Sequence, residues 1–245
     1  MRDIKNRFWE LDSLRGIAII VMIIFHIFYD LYYFGISNIK LQSYPIFFLF
    51  LPFAMIFLFL VGISLTLSYN KAKKTLSEKE IFIKFIIRGL KIFGFGLLVT
   101  IITFFYLIKG FVIFGVLHCI GISIILSYPF VKQKFFSLFF GFILIILGLI
   151  LNNFSFDFSY LVWLGFIPNN FYTIDYFPLL PWFGIVLFGI FVGNMLYPNS
   201  KRNFNIPDLS NNILVRFLSF LGRNSLLIYL IHQPIIILII NLFLL

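Results

Sequence analysis

The chain reads as an all-α integral membrane protein, a single bundle of about seven transmembrane helices with a cytoplasmic N-terminus. Three observations lead there. Of its 245 residues, 62% are hydrophobic and only 11% charged, against about 45–50% and about 25% in soluble domains. A soluble globule of this length would have too little polar surface to face water. The apolar residues also fall into long runs, and helices satisfy every backbone hydrogen bond within lipid. Finally, the basic residues collect in alternate gaps between the runs, which fixes the orientation.

The runs lie at about 16–34, 46–69, 84–106, 111–130, 135–151, 177–197 and 224–245, each near the ~20 residues a helical span needs. Between them stand Gly35 to Pro45, Asn70 to Glu80, Lys109-Gly110, Lys132 to Lys134, the stretch 152–176, and Pro198 to Ser210. Residues 160–167 are apolar but too short to span and read as interfacial or re-entrant. Residues 213–221 read as an amphipathic lead-in to the last helix. Gly189 and Gly193 form G-x-x-x-G, a close-packing signature. No repeat or linker interrupts the chain, so 1–245 is expected to be one transmembrane domain.

With the N-terminus inside, the inner segments hold Arg2, Lys5, Arg7 and Arg15; then Lys71, Lys73, Lys74, Lys79, Lys84, Arg88 and Lys91; then Lys132 and Lys134; then Lys201, Arg202, Arg216 and Arg223. Only Lys40 and Lys109 fall outside. The net charge of +10 therefore marks membrane topology and needs no nucleic acid. One cysteine, Cys119, excludes an internal disulfide and a cysteine metal site. The three histidines are far apart without ligand spacing, so no metal is expected. The first run lacks a small-residue cleavage site and reads as a retained span, placing the protein in the cell membrane as a multi-pass chain.

Ionisable groups at membrane depth are expensive and point to function. At 1.5 Å per residue, His26 lies roughly 15 Å from the inner end of its helix, His118 roughly 10 Å from the outer end of the fourth run, and His232 roughly 12 Å from the inner end of the last. Asp30 follows His26 by one turn on the same face and calls for a partner. The competing reading of each histidine is a hydrogen bond between helices. Ser225, Tyr229 and His232 are spaced four and three, so they share a face, and Pro234 frees a backbone carbonyl beside them. Asp175 stands at the outer mouth, either as a helix cap or as a carboxylate that binds an acceptor. Eleven steps separate Arg15 from His26, about 16 Å along one helix. That spacing suits an enzyme holding a charged donor at the cytoplasmic face and moving protons within the membrane.

The stretch from Glu10 to His26, with its Arg15, ten residues and His26, resembles the opening of the heparan-alpha-glucosaminide N-acetyltransferase catalytic-domain family and, more widely, the type-3 membrane acyltransferases. Further resemblances run in chain order through Arg88-Gly-Leu-Lys91, Gly115-Val-Leu-His118-Cys-Ile-Gly121, Asp175 to Gly184, and Gly222 to Pro234, covering about residues 7 to 236. The resemblance implies a membrane acyltransferase with His26 as catalytic base. Arg88 and Lys91 match the basic pair that lies near acyl-CoA, with Lys in place of the second Arg. The eukaryotic members carry their active-site histidine in the lumenal region after the opening helix, whereas residues 31–45 contain none.

The combined expectation is transfer of an acyl, and foremost an acetyl, group from cytoplasmic acyl-CoA to an amine or hydroxyl of an extracytoplasmic sugar or glycan. His26, Asp30 and His118 would do the proton chemistry. Arg15, Arg88 and Lys91 would hold the acyl-CoA phosphates. Asp175, Ser225, Tyr229 and His232 would line the acceptor cavity. The partners are the bilayer, acyl-CoA as co-substrate rather than a resident cofactor, and the acceptor; a homodimer is left open. A proton-coupled transporter or flippase is the alternative from a different class, and a structural protein with histidines as interhelical glue is the third.

Overall fold

The computed structural model describes residues 7–38, 46–107 and 110–243. Among these residues there are eight α-helices: α1 (Trp9–Tyr33), α2 (Ile46–Ala72), α3 (Glu78–Tyr106), α4 (Val116–Leu126), α5 (Lys134–Leu151), α6 (Leu179–Leu196), α7 (Ile213–Arg223) and α8 (Ser225–Phe243). Five of them, and the Phe50–Ala72 part of α2, are long and apolar enough to cross a membrane. The protein is a multi-pass membrane protein. Arg2, Lys5, Lys40 and Lys109 of the charge analysis lie outside the described residues.

Two helices begin earlier than their apolar runs. α1 starts at Trp9, and Glu10 and Asp12 stand in its first turn, where the helix dipole favours negative charge. α3 starts at Glu78 because Ser77 and Glu80 cap it reciprocally, the Glu80 carboxylate accepting from Ser77 N at 2.8 Å.

The fourth run departs from a full-length helix. α4 has 11 residues, about 16 Å, and cannot by itself cross a ~30 Å core. Residues 110–115 lead into it as non-helical backbone. A run apolar on every side has no period, so it does not distinguish extended backbone from helix.

Contacts divide the chain into two compact units, Met1–Phe57 with Ile206–Leu245, and Leu58–Asn205. In the first unit, α1 packs on α7 and α8. A Cβ at Gly16 would strike the Leu218 carbonyl, and one at Gly222 the Asp12 carbonyl. Ser13 and Ser219 share a hydrogen bond of 2.9 Å in the same seam. Small residues of α7 thus face α1, while Ile213, Phe217 and Phe220 are exposed on its other side. This is the amphipathic segment expected at 213–221.

The second unit closes through more such approaches. Gly62 and Gly189 face one another's helix backbones, and Gly193 faces Ile63 and Thr66. Gly141 meets Gly184, and Gly89 meets Gly121. Helix association in lipid depends on this kind of contact, because apolar side chains are as comfortable against lipid as against each other. Residues 160–165 form turns whose Trp163 and Leu164 carbonyls accept from Leu179 N and Leu180 N, both at 3.0 Å. The short apolar stretch therefore satisfies first-turn donors of α6. Tyr176 braces it by donating to the Val162 carbonyl at 2.8 Å, and burial pushes the Tyr176 hydroxyl above its usual range. At the other end, Glu78 accepts from Tyr69 (2.9 Å) and Tyr128 (2.8 Å) and pairs with Lys132 (2.7 Å). The Glu78 bond raises the Lys132 pKa.

Gly189→Leu should lower stability by about 1–3 kcal/mol by overpacking the α2–α6 contact. Cys119, free and wholly buried, provides the readout, since a thiol-reactive dye labels it only on unfolding. Gly94→Ala, at a position with open space around it, should melt like the native protein.

Candidate active site

The first unit brings α1 and α8 together at mid-helix. The His26 and His232 rings lie 4.9 Å apart between centroids. His232 Nδ1 is 2.6 Å from the Tyr229 carbonyl. A carbonyl only accepts, so Nδ1 carries the proton and Nε2 keeps its lone pair. One turn above His26, the buried Asp30 is hydrogen-bonded to the Gln233 side chain. Among the described residues, four polar atoms of this cluster are sealed from solvent without a hydrogen-bond partner: His26 Nδ1, Asp30 Oδ2, His232 Nε2 and Gln233 Oε1. Each such atom costs on the order of 1–3 kcal/mol, and native folds carry only a few in a hundred residues. Four of them on one helix pair make this contact the natural candidate for a functional site.

Gln233 is missing from the sequence-based site. The spacing rule followed Ser225, Tyr229 and His232 along one face, and Gln233 lies about 100° from that face. The signal available was a carboxamide in the middle of an apolar helix. Of the residues on that face, the Tyr229 ring lies tilted 5.5 Å from that of His232, while Ser225 opens α8 about two turns before Gln233. Asp30 calls for a partner, and it finds one in the side-chain amide of Gln233.

At the head of α1, Arg15 Nη1 pairs with the buried Asp12 Oδ1 at 2.7 Å, and Arg7 approaches Oδ2 at 3.8 Å. In the second unit, Arg88 and Lys91 are exposed one turn apart on α3.

His118 and Asp175 belong to the break before α4. Gly115 N donates to His118 Nδ1 at 3.2 Å, which places the ring proton on Nε2. That nitrogen is 3.4 Å from Thr100 Oγ1, whose own hydrogen goes to the Val112 carbonyl at 2.7 Å. Val112 N donates to Thr103, and Thr173 donates to the Phe111 carbonyl. Val116 N donates to Asp175 Oδ2 at 3.2 Å. Asp175 is thus a cap, but of α4 rather than of α6, the helix it precedes in sequence. His118 is 2% exposed, with both ring nitrogens facing polar partners and Phe93 and Phe114 against its ring. Cys119 beside it is wholly buried.

Residues 7–234 match the model of the heparan-alpha-glucosaminide N-acetyltransferase catalytic family. The chain belongs to this family. Its fold, a multi-pass helical membrane protein, and its class, a transferase of the acetyltransferase kind, follow from that membership. No curated protein and no solved structure matches the chain. The match ends at Pro234, so it takes in the whole polar cluster of α1 and α8.

Asp175→Ala should destabilise the protein by about 1–2 kcal/mol, the scale of a lost helix cap. Asp175→Asn, which retains an acceptor oxygen for Val116 N, should keep most of that stability in the same Cys119 dye assay.

Proposed function

We propose that the protein transfers an acetyl group from cytoplasmic acetyl-CoA to an amine on an extracytoplasmic sugar or glycan, with His26 as general base. The observation that carries this reading is the pair of sealed acceptor oxygens, Asp30 Oδ2 and Gln233 Oε1, one turn beyond His26. Both lack a donor, so they favour a ligand rich in N–H or O–H groups. An amine brings more such donors to one atom than a hydroxyl does.

The acceptor nitrogen attacks the thioester carbonyl. As the new N–C bond forms, His26 removes the nitrogen's proton. The C–S bond breaks and the CoA thiolate leaves, taking that proton from His26. An imidazole suits both directions of the transfer near neutral pH. As the family resemblance implies, Arg88 and Lys91 of the second unit meet the donor's phosphates, and Arg15 of the first unit, already oriented by Asp12, carries the charge for the same task. Tyr229 and Ser225 line the approach on α8, and His118 and Asp175 support the reaction by holding the break before α4 in shape. The family membership supports acetyl as the group moved.

Calorimetry of acetyl-CoA with the purified protein in detergent provides the test. Saturable binding that Arg88→Ala weakens is expected, together with at least ~100-fold slower thiol release in His26→Ala. Full thiol release by His26→Ala would remove His26 from the mechanism. A folded protein that binds no acyl-CoA would favour proton-coupled transport instead.

A further inference from the structure

Among the four sealed atoms, two are the ring nitrogens of neighbouring histidines. His232 Nε2 is a lone pair, because its Nδ1 proton is committed to the Tyr229 carbonyl at 2.6 Å. His26 Nδ1 is sealed as well, and the two rings are 4.9 Å apart, tilted by 58°. A centroid separation near 5 Å is one at which two imidazole rings can share an N–H···N hydrogen bond. Asp30, one turn away on α1, is tied to Gln233 and keeps one oxygen unpartnered, whereas the His232 ring lies directly against His26.

We propose that His232 is the positioning residue of His26: its Nε2 lone pair accepts a hydrogen bond from His26 Nδ1–H and leaves His26 Nε2 as the basic nitrogen. This deepens the proposed function and rests on it. The arrangement is a chain, Tyr229 C=O to His232 Nδ1–H, then His232 Nε2 to His26 Nδ1–H. When His26 Nε2 takes the acceptor's proton, the positive charge on the imidazolium is shared along this chain. No proton leaves the pair until the thiolate collects it. A neutral histidine thereby does the orienting that a carboxylate does in a hydrolase triad, without burying another net charge in the membrane.

The same geometry favours His232 over the other candidates. The Tyr229 carbonyl faces His232 Nδ1, and its ring lies tilted 5.5 Å from that of His232. Phe25 packs edge-on to His26 at 5.5 Å and offers no acceptor.

The experiment is nitrogen-15 NMR of histidine-labelled protein in micelles, at a pH where the rings are neutral. There are only three histidines to assign. Two rings, His26 and His232, should carry their proton on Nδ1, and His118 should carry it on Nε2. His232→Phe should shift the His26 resonances and move its proton toward Nε2, while His232→Gln, which keeps an acceptor oxygen, should leave them near native. Native helical circular dichroism and an unchanged melting point certify that each variant is folded; if His232→Phe is not, the native spectrum and His232→Gln decide. A native His26 protonated on Nε2, or His26 resonances indifferent to a folded His232→Phe, would overturn the proposal.

Thiol release from acetyl-CoA with glucosamine as the acceptor probe separates this proposal from its parent. A fall in kcat on the order of 10²-fold with KM unchanged is expected for His232→Phe, with partial recovery in His232→Gln. An inactive His26→Ala beside a fully active His232→Phe would sink the pairing alone. A fully active His26→Ala would sink the acetyltransferase role of His26, whatever the spectra show.

Discussion

Backbone satisfaction at membrane depth is the constraint from which most of this structure follows. In lipid an unpaired N–H or C=O has no water to turn to. The long helices meet the requirement within themselves. The segment before α4 does not, and the polar residues around it are largely explained by that fact. Thr100, Thr103, Thr173, His118 and Asp175 each pair with a backbone group between Phe111 and Val116. The side-chain polarity of the second unit is thus placed where helical regularity stops.

A second constraint follows from the first. Once helices have satisfied their own backbones, they need some other reason to associate, and close approach supplies it. Paired small residues recur at the contacts of α1 with α7, α2 with α6, α3 with α4, and α5 with α6. Against this background the α1–α8 contact is different in kind. It joins histidines, a carboxylate and a carboxamide, and leaves four of their polar atoms unpartnered. Packing alone would have favoured glycine or alanine there. The cost of keeping these groups is the physical argument that they serve chemistry.

The sequence made the membrane class, the positions of the long helices and the family legible, because each rests on composition or on spacing along one chain. α4 was legible only as an apolar run, since uniform hydrophobicity hides where a helix begins. Ser77 and Glu80 carried a readable cap, obscured by lying in a polar gap. Asp175 is harder: its donor, Val116, is 59 residues away, and no local pattern points to it. Gln233 was obscured by the assumption that one helix has one functional face.

His118 illustrates how a shared residue type conceals different roles. By depth it matched His26 and His232, and all three are imidazoles in apolar helices. The structure distinguishes them by what each ring nitrogen faces. His118 accepts from a backbone amide and meets a threonine hydroxyl, so it completes the cap of a helix. His232 spends one nitrogen on a carbonyl and keeps a lone pair. His26 has a sealed Nδ1 against that neighbour's ring. A nitrogen already paired with backbone must break that bond before it can take a proton, whereas a ring backed by a neutral lone pair gains from taking one. Of the three, His26 is the one set against a neighbouring lone pair, and the proposed role as base rests on that asymmetry rather than on depth.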